Sequence, residues 1–125
     1  MSAQGSIVAS EAVMRRSRLH TTPPYEVEAA LKRLGADLRT ARLRRNVTMI
    51  EAAERLGVGR EAIANAERGK PSTSVAIYAA LLWSYGLIER LASLAAPLAD
   101  EEGLRLASLN ERQRARVGQA LDDDF

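Results

Sequence analysis

The residues whose types and spacing point to a task run Thr48-Met-Ile-Glu-Ala-Ala-Glu-Arg-Leu-Gly57-Val-Gly-Arg-Glu-Ala-Ile-Ala-Asn-Ala-Glu67-Arg-Gly-Lys70. Thr48 with Glu51 three positions later is a capping box, the signature of a helix start. The helix it opens carries Ala52, Ala53 and Leu56 and stops at Gly57, which reaches positive φ at little cost. A second short helix follows over Arg60–Arg68, with Ile63 and Ala66 inward and a stop at Gly69. The small Ala53 lets the two helices approach, and Val58 and Ile63 plug their junction. Such a pair holds its second helix out as a rigid rod of the size that enters a DNA major groove.

The elements that must position this pair are also helical. Val27, Leu31, Leu34, Leu38 and Ala41 step by four and three, which predicts one helix from Tyr25 with these residues inward. Asn46 ends it, because Asn tolerates the left-handed conformation. After Pro71-Ser72-Thr73-Ser74, a turn with a fresh N-cap, a fourth helix carries Val75, Ile77, Tyr78, Leu81, Leu82 and Trp83 until Gly86. Leu87–Leu94 is read as a fifth, ended by Pro97. Pro23-Pro24 marks a boundary at the other side. The expected division is an N-terminal extension over 1–24, disordered or ordered on binding, a helical domain over 25–97, and a charged tail over 98–125. Within the tail only a short helix around Asn110–Ala120 is predicted. Met14 offers an alternative start. Apolar residues make up 46% of the 125, but aromatics only 4%, and Ala and Leu dominate. That suits small helical layers and not a sheet, so the fold class is all-α.

Composition also excludes chemistry. Cysteine is absent and the one histidine is His20, in the extension. No catalytic dyad or triad and no metal-ligand cluster can be assembled, so no catalytic residue, metal or cofactor is expected and the protein is not read as an enzyme. No apolar run approaches the ~20 residues of a membrane span, and Arg15, Arg16 and Arg18 follow the mildly apolar start where a secretory signal needs them before it. A cytoplasmic location is expected. The formal net charge is only +2, yet Lys32, Arg33, Arg39, Arg42, Arg44 and Arg45 crowd one segment against the single acid Asp37. Asp122-Asp123-Asp124 close the chain. A basic patch and an acidic tail fit two different partners, or simply two solvated surfaces.

The stretch around Gly57, with its small residue, glycine, hydrophobe and trailing Glu-Arg-Gly-Lys, resembles the lambda-repressor-like helix-turn-helix of the Xre family over about residues 30–90. The resemblance implies a five-helix domain that binds double-stranded operator DNA. It places Arg60, Glu61 and Asn65 on the recognition helix, where Arg60 could pair with guanine or a phosphate, Asn65 with adenine, and Glu61 with cytosine N4. Thr48, Lys70, Ser72 and Thr73 become candidate phosphate contacts. Arg42 and Glu67 take positions that form a bracing ion pair in the family. One departure stands out: Met49 occupies the place of a common glutamine that grips a phosphate at a helix N-terminus.

Flanking segments narrow the likeness. Gly69-Lys-Pro-Ser-Thr73, Ala79-Ala-Leu-Leu-Trp83, Leu94-Ala-Ala-Pro-Leu-Ala-Asp100-Glu-Glu-Gly103 and the closing Leu121-Asp-Asp-Asp-Phe125 are similar to HipB-type antitoxins. These repress their own operon and neutralise HipA-type serine/threonine kinase toxins. One recognition helix reads only a few base pairs, so two half-sites and a homodimer are expected. Leu87, Ile88, Leu91 and Leu94 exceed what a four-helix core requires and are assigned to the dimer or partner interface, with Trp83 and Tyr85 at its edge and Phe125 in kinase contact. No small-molecule ligand is evident. The competing readings are a stand-alone Xre-family repressor without a toxin, and an interaction module that has lost DNA binding, to which Met49 and Glu61 lend support.

Overall fold

The computed structural model describes residues 18–123, and every regular element among them is helical. They are α1 (Tyr25–Arg44), α2 (Met49–Leu56), α3 (Arg60–Glu67), α4 (Val75–Ser84), α5 (Ile88–Ala92), a 3-10 turn (Pro97–Ala99) and α6 (Glu101–Asp123). The chain divides between Ile88 and Glu89 into two compact units, earlier than the boundary expected at Pro97. Most of the expected N-terminal extension lies outside the described residues; 18–21 form a helical turn.

In the first unit α3 is the central element, packed against α1, α2 and α4. Local signals set the ends of these helices. Pro24 occupies the N-cap of α1, Glu26 and Glu28 lie in its first turn, and Arg42 and Arg44 in its last, each charge complementing the helix dipole. Asn46 closes the segment at φ 53°. The capping box forms as read: Thr48 Oγ1 accepts from Glu51 N at 3.1 Å, and Thr48 N donates to Glu51 Oε1 at 3.4 Å. Gly57 ends α2 at φ 66°, and Val58 N then donates to Ala53 O at 3.0 Å, which satisfies a last-turn carbonyl. Ser74 Oγ accepts from Ile77 N at 3.3 Å and starts α4.

The core gathers Leu38, Val47, Ala52, Ala53, Ile63, Ala66, Tyr78, Leu81, Leu82 and Tyr85. Two expectations for α1 and α4 need correction. Val27 is 41% exposed, because the 20-residue α1 outruns the eight-residue α3 that packs on it. The deepest positions of α1 are instead Gly35, Leu38 and Arg42. Tyr85 is not at an edge but buried, with the Arg45 guanidinium 5.4 Å from its ring centroid and Arg45 Nη2 donating to its carbonyl at 3.0 Å. Trp83 does lie at the surface, 64% exposed.

Backbone contact brings α1 and α3 together. A Cβ on Gly35 would lie 2.6 Å from the carbonyl oxygens of Ala66 and Glu67, and one on Gly69 would meet the backbone of Leu31 and Lys32. The α3 end of the pair can seat against α1 only because both positions lack a side chain.

In the region after Ile88, α5 is shorter than Leu87–Leu94 and buries none of its residues. The segment expected as a charged tail with a short helix forms the 23-residue α6. Leu, Ala, Glu, Gln and Arg dominate it and all propagate helix well. Asp100 Oδ1 accepts from Gly103 N at 3.0 Å at its start, and Glu102 pairs with Arg105 at 2.6 Å. Absence of a core face was the wrong criterion for a helix whose residues are nearly all exposed.

Candidate nucleic-acid interface

The outer edge of α3 is a short row of polar groups. Arg60 and Glu61 are exposed, and Asn65 is half-buried one turn on. Arg68, the C-cap of the helix, reaches back along the same edge. Its Nη1 lies 3.5 Å from Glu61 Oε1 and donates to Asn65 Oδ1 at 3.4 Å. Arg68 was not singled out from the sequence, although the spacing 61, 65, 68 places the three residues on one helical face.

Behind that edge, the inner side of α3 is fastened by charge. Arg42 Nε and Nη2 donate to Glu67 Oε2 and Oε1 at 2.7 and 3.0 Å, while Arg42 Nη1 donates to Val47 O at 2.9 Å. The side chains are 7% and 4% exposed, and the hydrogen bond to Glu67 pushes the Arg42 guanidinium above its ordinary pKa. One guanidinium thus joins α1, the α1–α2 loop and α3 in fixed fork geometry. Glu67 is consumed by this bond. Neighbouring Arg68 points the other way, to the exposed edge.

The expected phosphate contacts divide. Lys70 and Ser72 are exposed in the turn between α3 and α4. Thr48 is exposed too, but its hydroxyl both accepts from Glu51 N and donates to Glu51 Oε1 at 3.1 Å. Thr73 does not fit the role: its hydroxyl is buried beside that of Tyr78, and its backbone N–H donates to Lys70 O at 3.0 Å. The turn folds Thr73 inward toward Tyr78, whose hydroxyl donates to Lys70 O at 3.2 Å. Met49 is half-buried and Ile50 exposed, and with Leu43 and Arg60 they line an open groove at the start of α2.

The basic segment of α1 is smaller in effect than its count of six. Arg42 is buried, Arg45 is exposed but tied to the Tyr85 carbonyl, and Lys32 pairs with Glu28 at 2.8 Å. Arg33, Arg39 and Arg44 remain as exposed cations. Of the residues assigned to an interface, Leu87, Ile88 and Leu91 are half-buried and Leu94 is exposed, while Phe125 lies outside the described residues. Among the described residues no His, Cys, Asp and Glu cluster could hold a metal ion, and no helix is long and apolar enough to cross a membrane.

The profile of a family described as a helix-turn-helix domain matches residues 33–96, just over half of the chain. No curated protein and no solved structure matches it.

Proposed function

The chain belongs to the helix-turn-helix domain family, which points to a DNA-binding regulator, and from that premise we propose a sequence-specific repressor that also serves as an antitoxin. The observation that carries the DNA-binding part is the exposed edge of α3, with Arg60, Glu61 and Asn65 in a row on a helix braced from behind by Arg42 and Glu67. Arg60 and Asn65 read base edges, Glu61 accepts from cytosine, and Lys70, Ser72 and Thr48 set the register on phosphates. Operator binding joins two copies through Leu87, Ile88, Leu91 and Leu94, so that two recognition helices meet two half-sites on the nucleoid in the cytoplasm.

A gel shift against the DNA upstream of the gene tests this reading. Arg60→Ala and Asn65→Ala should each weaken binding roughly tenfold or more, since a good bidentate base contact is worth ~1–3 kcal/mol. If both variants bind as the parent does, α3 is not the reading helix.

The antitoxin part rests on the HipB-like flanking segments and on surface that DNA does not need. Leu104, Leu106, Leu109, Val117 and Leu121 are exposed on α6, just before the run of aspartates. We assign this region to a HipA-type kinase. The full chain should co-purify with a kinase encoded beside it, and deletion of 98–125 should abolish capture while operator binding persists. Capture unchanged by the deletion would remove the tail from the kinase site. DNA binding with no kinase contact leaves a stand-alone repressor, and kinase contact with no DNA binding leaves an interaction module.

A further inference from the structure

We infer that Arg68 is a mobile counter-charge that couples base reading by Glu61 and Asn65 to a phosphate contact. The inference rests on the DNA-binding reading of α3 and adds to it a fourth residue with a different task. A carboxylate on a surface that meets a polyanion is repelled unless a donor accompanies it. Here the donor is Arg68, whose Nη1 stands between Glu61 Oε1 at 3.5 Å and Asn65 Oδ1 at 3.4 Å. Both side chains of the ion pair are largely exposed, 64% and 72%, so the arrangement is weak and exchangeable in water. The geometry that holds Arg42 on Glu67 has no counterpart at this edge.

The bases that suit Glu61 and Asn65 are those able to replace Arg68. Glu61 and the Asn65 carbonyl are acceptors: in the free protein Asn65 Oδ1 receives a hydrogen bond from Arg68 Nη1, and Glu61 stands in ion-pair distance of the same nitrogen. Cytosine N4 and adenine N6 offer amino donors in the major groove and can take over those two positions. Guanine O6 and thymine O4 offer acceptors and cannot. A matching site therefore releases Arg68, and a mismatched site leaves it held along the helix. Arg68 also begins the turn that presents Lys70 and Ser72, the exposed candidates for phosphate contact. Once released, its charge falls on the same DNA strand backbone. From Arg60 to Arg68 the helix advances about 12 Å at ~1.5 Å per residue, and base pairs rise ~3.4 Å, so the row spans about three to four base pairs.

The test uses the full chain with two duplexes of equal length, a site selected from a randomised library and a random-sequence control. Affinity is measured against salt for the parent, Arg68→Gln, Glu61→Gln and the double variant. The parent should show a steeper salt dependence on the selected site than on random DNA, by about one phosphate's share of ~0.9 in log–log slope beyond its other contacts. Arg68→Gln should erase that excess and lower discrimination roughly tenfold, weakening random-DNA binding only by the small repulsion of a Glu61 left without its counter-charge. Glu61→Gln should release Arg68 on both duplexes, raising random-DNA affinity several-fold, and this gain should vanish in the double variant. Equal weakening of both duplexes by Arg68→Gln makes Arg68 an ordinary phosphate contact and overturns the coupling, as does no effect. A parent that selects no site overturns the DNA-reading surface itself, and the coupling with it. Because Arg68 is exposed, an unchanged Tm for Arg68→Gln separates lost recognition from lost folding.

Discussion

Arg42→Met should lower the unfolding free energy of the helix-turn-helix domain by about 3–5 kcal/mol, because it leaves the Glu67 carboxylate buried without a partner. The loss is large because three hydrogen bonds go at once: two to Glu67 and one to Val47 O. Domains of this size are stable by only about 5–15 kcal/mol, so the single variant should stand at the margin of folding. A second substitution decides what is being measured. Arg42→Met with Glu67→Leu removes both charges, and apolar replacements of buried pairs are often neutral or stabilising. The double variant should recover most of the loss in urea unfolding, apart from the Val47 carbonyl. If the double variant is no more stable than the single one, an unpaired buried carboxylate is not the cause. The recovered domain also separates support from reading: with α3 still seated, its affinity for DNA should be close to that of the parent.

Gly69→Ala should be the most damaging of the glycine replacements, at about 2–5 kcal/mol. Two effects add. At φ 68° a Cβ costs roughly 1–2 kcal/mol for the left-handed conformation alone. The same Cβ would enter the backbone of Leu31 and Lys32, and overpacking typically costs about 1–3 kcal/mol. The neighbours are main-chain atoms, so no side chain can swing aside to relieve the clash. Gly57 supplies the control. It has nearly the same φ of 66°, but nothing lies within 4 Å of an added Cβ. Gly57→Ala should therefore lose only the conformational part. Equal losses at the two positions in thermal or urea unfolding would mean that the close approach of α1 and α3 contributes nothing.

These two expectations differ in how far they could be read before folding. The Arg42–Glu67 pair was visible only through resemblance, since nothing in the spacing of residues 25 apart selects one arginine from the five in that segment. The approach of Gly35 and Gly69 was not visible at all. Gly69 could be read as a helix stop, which it is, but its contact with Leu31 depends on how α3 lies across α1. Thr73 shows the same limit from the other direction. The resemblance made it a phosphate candidate, and only the fold of the turn carried its hydroxyl inside.

What the sequence by itself determined is the set of features whose partners lie within one helical turn. The Thr48–Glu51 capping box, the left-handed Asn46 and Gly57, and the Ser74 cap are closed by atoms three to five residues away. Such contacts form wherever the local pattern occurs, because little chain entropy opposes them. The 23-residue α6 belonged to this class as well, legible in its helix-forming residues and missed only by asking for a core face. The tertiary structure decided which cations became internal struts and which stayed at the surface. Arg42, Arg45 and Arg68 are chemically identical. One is locked on a buried carboxylate, one lies over Tyr85, and one remains exposed beside Glu61 and Asn65. Burial and partner set those roles, and for Arg42 and Arg45 both follow from the packing of segments distant in sequence, while Arg68 meets partners on its own helix.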